Sequence, residues 1–369
     1  MASITTIIPT YRRPLLLKRA VRSVLAQSYP DFQVCVYDNA SGDETREVVE
    51  ELARHDDRVK YYCHERNIGM LPNFVFGLSR VESPFFSILS DDDILFPNFF
   101  ETAIGAFENY PEAKWFSGFL IGADEDGKVL RLNARHGSES VLSPVGIFGY
   151  MVRNWHTWTA MLFKTEVLAS AGGLDPEVGP DADVDFVLRV AAVHPAVASP
   201  VPCAIAMDHP GSAQRTKART FDVAGGLRRI VRNVTAILSS QKVDEAARHA
   251  MMAALGEWVF KSGLVYVLGG EKGAAVAASE ALGGTLGAPA RAAMLKQMTR
   301  DSMAGAVARG ALSDLWKLRR VLRNQWRPGV ASRGDCQAGL DAGSGLGDDR
   351  QAIRASVGGE CVTRRGCRV

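Results

Sequence analysis

The sequence is poor in cysteine, and what it has is scattered. Cys35, Cys63, Cys203, Cys336, Cys361 and Cys367 form no Cys-x-x-Cys pair, which argues against a zinc ribbon. Six cysteines in 369 residues are also too few for a disulfide framework, so a reducing compartment is expected. Charge of one sign is missing too. The 43 Lys and Arg stand against 41 Asp and Glu, for a net of +2, whereas a chain built around nucleic acid carries a strongly basic face; no nucleic-acid partner is expected. The 35 glycines keep no period of three, which excludes a collagen-like chain. The apolar runs 263–270 and 273–279 are separated by Glu271 and Lys272, and neither approaches the ~18–20 residues of a membrane span. The first residues lack a basic segment followed by an apolar stretch, the mark of a secretory signal. A cytoplasmic protein, at most peripheral to the inner face of a membrane, is the expectation.

With 47% hydrophobic residues the chain can build a core, which intrinsic disorder does not allow. Its length suggests about two domains. The first half alternates short apolar runs with helical patterns. Runs at 4–8, 33–37, 59–63 and 85–89 read as strands. Helical spacing covers 14–27, 44–54 and 98–109, and a further helix begins near Asn73. This alternation predicts right-handed βαβ units on a mostly parallel sheet flanked by helices. Between 115 and 205 the pattern is mixed, with strands expected at 114–121 and 159–164 and a short helix at 184–193. After about residue 214 the chain becomes rich in Ala, Leu and Met, with helices expected at 220–239, 246–268 and 289–309. Residues 312–327 read as a basic amphipathic helix, and from Pro328 onward apolar periodicity ends, as in a disordered tail. The expected division is 1–214, a helical region 215–327 and a tail 328–369.

In open α/β sheets ligands bind beyond the carboxyl ends of the strands, and there the polar segments lie. Pro9, Thr10 and Tyr11 follow the first strand, 38–43 the second, 66–69 the third and 90–93 the fourth. Asp91, Asp92 and Asp93 repel one another, and a divalent cation with oxygen ligands offsets that cost; the alternative is a solvated turn capping the next helix. Asp38 stands where a carboxylate accepts from a base or ribose, while Asp43 suits a helix cap. Asp181, Asp183 and Asp185 open a helix, where acids favour the dipole or supply a general base. Asp181 and Asp185 share a face that Asp183 does not. His209 is either a structural histidine or a metal or diphosphate partner. Trp155 and Trp158 flank His156 and Thr157, which suits either a sugar-stacking surface or a buried aromatic corner.

In this order the segments resemble the family 2 glycosyltransferases of the GT-A fold. Ile7-Ile-Pro-Thr-Tyr-Arg-Arg-Pro14 resembles the family's opening, with Arg12 where Asn is usual. Gln27-Ser-Tyr-Pro30 is similar to the turn before the second strand. Asp38-Asn-Ala-Ser-Gly-Asp-Glu-Thr45, Arg66-Asn-Ile-Gly69 with Asn73, and Leu89-Ser-Asp-Asp-Asp93 follow, the last with Ser90 in place of an Asp. Gly173-Leu-Asp175 and the Asp183–Asp185 pair complete the series, with Ala182 where Glu is usual. The resemblance covers about residues 3–212.

The resemblance implies a GT-A domain with a helical C-terminal appendage and an inverting, nucleotide-sugar-dependent transferase of hexosyl or deoxyhexosyl groups. Its donor would be a nucleotide-diphospho-sugar. Its acceptor would be a glycan, a lipid-linked glycan or another hydroxyl in cell-surface polysaccharide synthesis. Pro9, Thr10 and Tyr11 would line the base, and Asp38 would bind it near Arg66 and Asn67. Asp92 would approach ribose or sugar. Asp93 would hold Mn²⁺ or Mg²⁺, with Asp91 nearby and His209 a second ligand. Asp183 would be the general base, with Asp181 and Asp185 in reserve. Ser90 and Ala182 leave a second hypothesis: a catalytically inactive relative that binds nucleotide-sugars or glycans. A nucleotidyltransferase would need a glycine-rich phosphate loop where Pro-Thr-Tyr stands. The 312–327 helix suits an anionic membrane surface or packing on the domain.

Overall fold

The computed structural model describes residues 2–133, 137–154, 157–212, 221–240, 243–300, 310, 311 and 313. Four βα units open the chain: β1 (Ile4–Thr10), α1 (Pro14–Leu25), β2 (Phe32–Asp38), α2 (Thr45–His55), β3 (Val59–Cys63), α3 (Met70–Ser79) and β4 (Phe85–Ile88), then β5 (Ile94–Leu95) and α4 (Phe99–Asn109). The middle holds β6 (Trp115–Asp124), β7 (Val129–Leu132), β8 (Ser140–Leu142), α5 (Pro144–Arg153), β9 (Met161–Lys164), α6 (Val167–Ala171), α7 (Ala182–Val193) and β10 (Ala196–Asp208). Four helices follow: α8 (Val223–Leu238), α9 (Glu245–Gly269), α10 (Lys272–Gly283) and α11 (Pro289–Thr299).

The strands form one sheet in the order β3-β2-β1-β4-β9-β6-β10-β5, with β7 on β6 and β8 on β10. The β1–β2, β2–β3, β1–β4 and β6–β10 pairs are parallel. The expected mostly parallel sheet is present, with β9 running antiparallel between β4 and β6. Strand β1 is buried at every position, the pattern of a strand covered on both faces. Helix α1 begins at Pro14, whose fixed φ suits a first helical turn.

One face of the sheet packs against α1, α2 and α4 through Ile4, Ile8, Val21, Val34, Val49 and Phe100. The other joins Ile7, Phe86, Phe163 and Phe186 to Leu227, Val234, Leu255 and Leu295 of the C-terminal helices in one apolar core. Trp115 and Phe163 stack there at 5.8 Å, and Phe163 meets Phe186 edge-on at 5.3 Å. Each such buried aromatic contributes roughly 1.5–3 kcal/mol.

Several elements differ from the sequence expectations. Strand β10 and helices α5 and α10 are additional. Helix α11 ends at Thr299, and 301–309 lie outside the described residues. The expected helix at 312–327 and tail at 328–369 lie outside them as well, except for Ser313. Helix α9 is long and apolar enough to cross a membrane by length and composition, although neither run expected in that region is. Its buried residues Met251, Leu255, Val259, Gly263 and Val267 recur at helical spacing, the stripe of a helix packed on a core.

Candidate active site

The parallel register sets Thr10 beside Asp38 at the carboxyl ends of β1 and β2. Asp38 is the last residue of its strand and is buried. It accepts from Ser41 N at 2.9 Å, Ser41 Oγ at 2.6 Å and Tyr61 Oη at 2.6 Å. Burial, and then the bond to Asp38, raise the Tyr61 phenol well above its ordinary value. Asn39 Nδ2 donates to Asn67 Oδ1 at 3.0 Å, and Gly69 N donates to the same oxygen at 2.8 Å. Gly69 opens α3 at φ 96, a conformation that glycine alone adopts freely. Asn67 thus holds its own loop, while Arg66 beside it is exposed. Asp43 accepts from Thr45 N at 3.0 Å and supports the start of α2.

The strand runs two residues further than expected, so Pro9 and Thr10 are its last residues; Pro9 is buried, and Tyr11 just after it is exposed. Arg12 keeps a left-handed φ of 55, uncommon for a long side chain. Its N donates to Ser41 Oγ at 2.9 Å, its Nε donates to Ser41 O at 3.0 Å, and its guanidinium lies 5.1 Å from the Tyr11 ring centre. The loops after β1 and β2 are therefore tied together.

In the acidic turn after β4, Asp91 and Asp92 share Arg13, and Asp93 turns to other partners. Asp91 accepts from Thr10 Oγ1 at 2.8 Å and from Arg13 Nη1 at 3.1 Å. Asp92 Oδ2 accepts from the same Arg13 nitrogen at 3.1 Å and lies 2.8 Å from His209 Nε2. Asp93 accepts from Thr159 Oγ1 at 2.5 Å and from Met207 N at 2.9 Å. Arg19 Nη2 donates to the Asp92 carbonyl at 2.8 Å. Burial, and then the charge of Asp92, push the Asp91 carboxyl up to about 6. The same two causes hold Asp93 well above the usual carboxylate range. All three are almost fully buried.

The sequence paired His209 with Asp93; the structure pairs it with Asp92. Successive residues of a turn point in different directions, and Asp93 is directed inward to the chain segments around Thr159 and Met207. Arg13, Arg19 and Thr159 were not anticipated. Arg13 lies inside the opening motif, in the loop between β1 and α1 that faces the acids. Thr159 carried no local signal.

No three His, Cys, Asp or Glu side chains converge as a closed metal site among the described residues. Asp92 and His209 offer one carboxylate and one imidazole in mutual contact, and the same oxygen accepts from Arg13; a Mg²⁺ or Mn²⁺ ion, which keeps waters and takes substrate phosphates as ligands, would have to displace these bonds to use both.

The second aspartate run begins α7. Asp185 is fully buried, and Arg189 donates to it through Nε at 2.9 Å. Burial raises its carboxyl, against the pull of Arg189 and Asn233. An aspartate so engaged is a framework group, which removes it from the reserves for a base. Asp183 is half-buried in the same first turn and accepts from Val184 N at 2.8 Å. Asp181 stands at the N-cap without capping the helix through its side chain. Trp158 is buried and packs 5.1 Å from Phe74, as an aromatic corner does; Trp155 and His156 lie outside the described residues.

Residues 5–159 match the family model described as Glycosyl transferase family 2. This segment belongs to that family. The chain is 35% identical over 96 residues to the GalNAc(5)-diNAcBac-PP-undecaprenol beta-1,3-glucosyltransferase of Campylobacter jejuni, covering 26% of this chain and 31% of that protein. It is 25% identical over 134 residues to glycosyltransferase GlyG of Streptococcus pneumoniae, covering 33% and 44%. The chain thus spans less than half the length of either relative. The fold of the family 2 segment and its helical continuation is that of S. aureus TarS 1-349 in complex with UDP-GlcNAc, with a TM-score of 0.66 at 15% identity over 86% of this chain and 92% of that one. The mannosyltransferase PcManGT of Pyrobaculum calidifontis, in complex with GDP-Man and Mn²⁺, gives 0.53 at 17% identity over 95% and 87%. These likenesses establish the GT-A fold.

Proposed function

We propose that the protein is an inverting glycosyltransferase that moves a hexosyl or deoxyhexosyl group from a nucleotide-diphospho-sugar to a hydroxyl acceptor. The observation that carries this reading is the Asp92–His209 contact, flanked by Asp91 and Arg13 at the carboxyl ends of the strands. Asp92 and His209 would hold Mg²⁺ or Mn²⁺, revising the sequence-based choice of Asp93. Bound there, the ion supplies positive charge to the departing diphosphate. Arg13 and Thr10 hold Asp91 and so keep the acidic turn in one arrangement, while Asp93 fixes it to the rest of the fold.

The nucleotide lies over the loops after β1, β2 and β3, against Pro9, Thr10 and Tyr11 and near Asp38, Arg66 and Asn67. Asp91 and Asp92 lie toward the ribose and sugar. The acceptor oxygen forms a bond to the sugar C1 as the C1–O bond to the diphosphate breaks. Asp183 takes the hydroxyl proton, and a single displacement inverts the anomeric centre. The name of the Campylobacter relative, a glucosyltransferase acting on an undecaprenol-linked glycan, supports a lipid-linked acceptor; surface-glycan synthesis at the cytoplasmic side of a membrane, which the basic 312–327 segment would contact, is the setting that fits such an acceptor.

A panel of nucleotide-sugars tested for thermal stabilisation, with and without Mn²⁺, checks the reading. The correct donor raises the melting temperature in proportion to RT ln(1 + [L]/Kd), more with Mn²⁺ than without, and Asp92→Asn removes the metal-dependent part. Metal-dependent binding without transfer to any hydroxyl acceptor would favour an inactive donor-binding relative, the reading that Ser90 and Ala182 leave open.

A further inference from the structure

Helix α8 lies outside the segment matched by the family, yet it holds the turn that carries the proposed base. Asn233 Nδ2 donates to Asp175 Oδ2 at 2.8 Å and to Asp185 Oδ1 at 3.1 Å. One amide thus joins two carboxylates, one before α7 and one inside its first turn. Arg229, one turn earlier on α8, donates through Nε to the same Asp175 oxygen at 2.6 Å and pairs with Glu177 through Nη1. Asp175 in turn accepts from Glu177 N at 3.0 Å and shapes the turn that leads to α7.

The other oxygen of Asp185 takes Arg189, whose remaining nitrogens donate to the carbonyls of Ala171 and Gly173. The backbone approach is equally close: a Cβ on Gly226 of α8 would fall 2.4 Å from Val178 O, so only glycine allows this contact. The loop 171–178, the first turn of α7 and α8 therefore form one linked unit.

We propose that Asn233, assisted by Arg229, is a positioning residue for Asp183, so that the helical region completes the catalytic unit. This rests on the reading of Asp183 as the base. Asp183 is two residues from Asp185 in one helical turn, and its direction follows the anchoring of that turn. Without Asn233, Asp175 and Asp185 lose their shared donor, and Asp185 is left to Arg189 of its own helix. A displacement of about 1 Å in a catalytic group is enough for a hundredfold loss of rate.

The test uses the full chain and counts turnover per donor-binding site, obtained by calorimetric titration with the nucleotide-sugar identified by the thermal panel. Asn233→Ala is expected to lower kcat by about tenfold to a hundredfold, with donor Kd and stoichiometry within twofold of wild type. A purely structural loss would reduce the number of binding sites and leave turnover per site unchanged, and that result overturns the proposal. Arg228→Ala, which removes an exposed pair with Glu280 on the same helix, should leave turnover per site unchanged. If Asn233→Ala does not fold, Arg229→Lys decides on the same measure: a severalfold loss per site supports the proposal and wild-type turnover overturns it. Asp183→Asn separates the two readings. Full turnover in that variant removes the base and this inference with it, whereas an inactive Asp183→Asn beside an unaffected Asn233→Ala removes the inference alone.

Discussion

Two runs of three aspartates carry the same formal charge and are held in opposite ways. At 91–93 the acids are consecutive and meet several parts of the fold: Thr10 for Asp91, Arg13 for Asp91 and Asp92, His209 for Asp92, and Thr159 and Met207 N for Asp93. At 181, 183 and 185 they alternate along a helix start, and one of them, Asp185, is consumed by a buried pair with Arg189. The first arrangement keeps two raised carboxyls, Asp91 and Asp93, close together and suits a ligand that brings positive charge. The second sets one acid as framework and leaves a neighbour half-buried. Charge density alone does not say what an acidic run does; the donors around each oxygen do.

The sharpest way to break this comparison is Asp183→Asn. It should reduce transfer by about 10²- to 10⁴-fold while donor binding, measured by calorimetry, is retained; near-wild-type turnover would return Asp181 to consideration. Next comes Arg189→Ala. It strands Asp185 in the interior, and losing one partner of a buried pair costs about 3–5 kcal/mol, to be read from denaturant unfolding. A loss below about 1 kcal/mol would show that Asp185 is not framework.

The smallest effect concerns pH. The folded Asp91 carboxyl binds its proton more tightly than the unfolded one, being raised to about 6 from an unfolded value of ~4. Its contribution to stability is therefore fully present below ~4 and is lost as pH rises through about 6. Asp91→Asn should flatten metal-free stability across that window; an unchanged slope would mean that Asp91 titrates normally.

Much of this was legible locally. Buried parallel strands read as short apolar β-branched runs, and helices on the sheet show their stripe, so the first four units lie within a few residues of where periodicity puts them. Strand β10 escaped because Pro200 and Pro202 interrupt it and its ladder with β6 shifts register there. The place of β9 between β4 and β6 is a matter of strand order, which no local pattern carries. At the site, spacing named the acids and His209 but not their pairing: Asp92 and Asp93 differ by one step around a turn, and their partners lie more than 60 residues away. The Asp185–Arg189 pair, by contrast, had a visible i,i+4 signal.

The strand order also governs when the site comes into existence. The family-matched segment stops at residue 159, before the strand that separates β4 from β6, so a fragment cut there would expose two open sheet edges, a template for aggregation. Its acidic turn would also lack Met207 and His209. Contacts this distant in sequence close slowly during folding. A chain emerging from the ribosome carries Asp92 and Asp93 long before Thr159, Met207 and His209, and the site becomes whole only after residue 209 has been made.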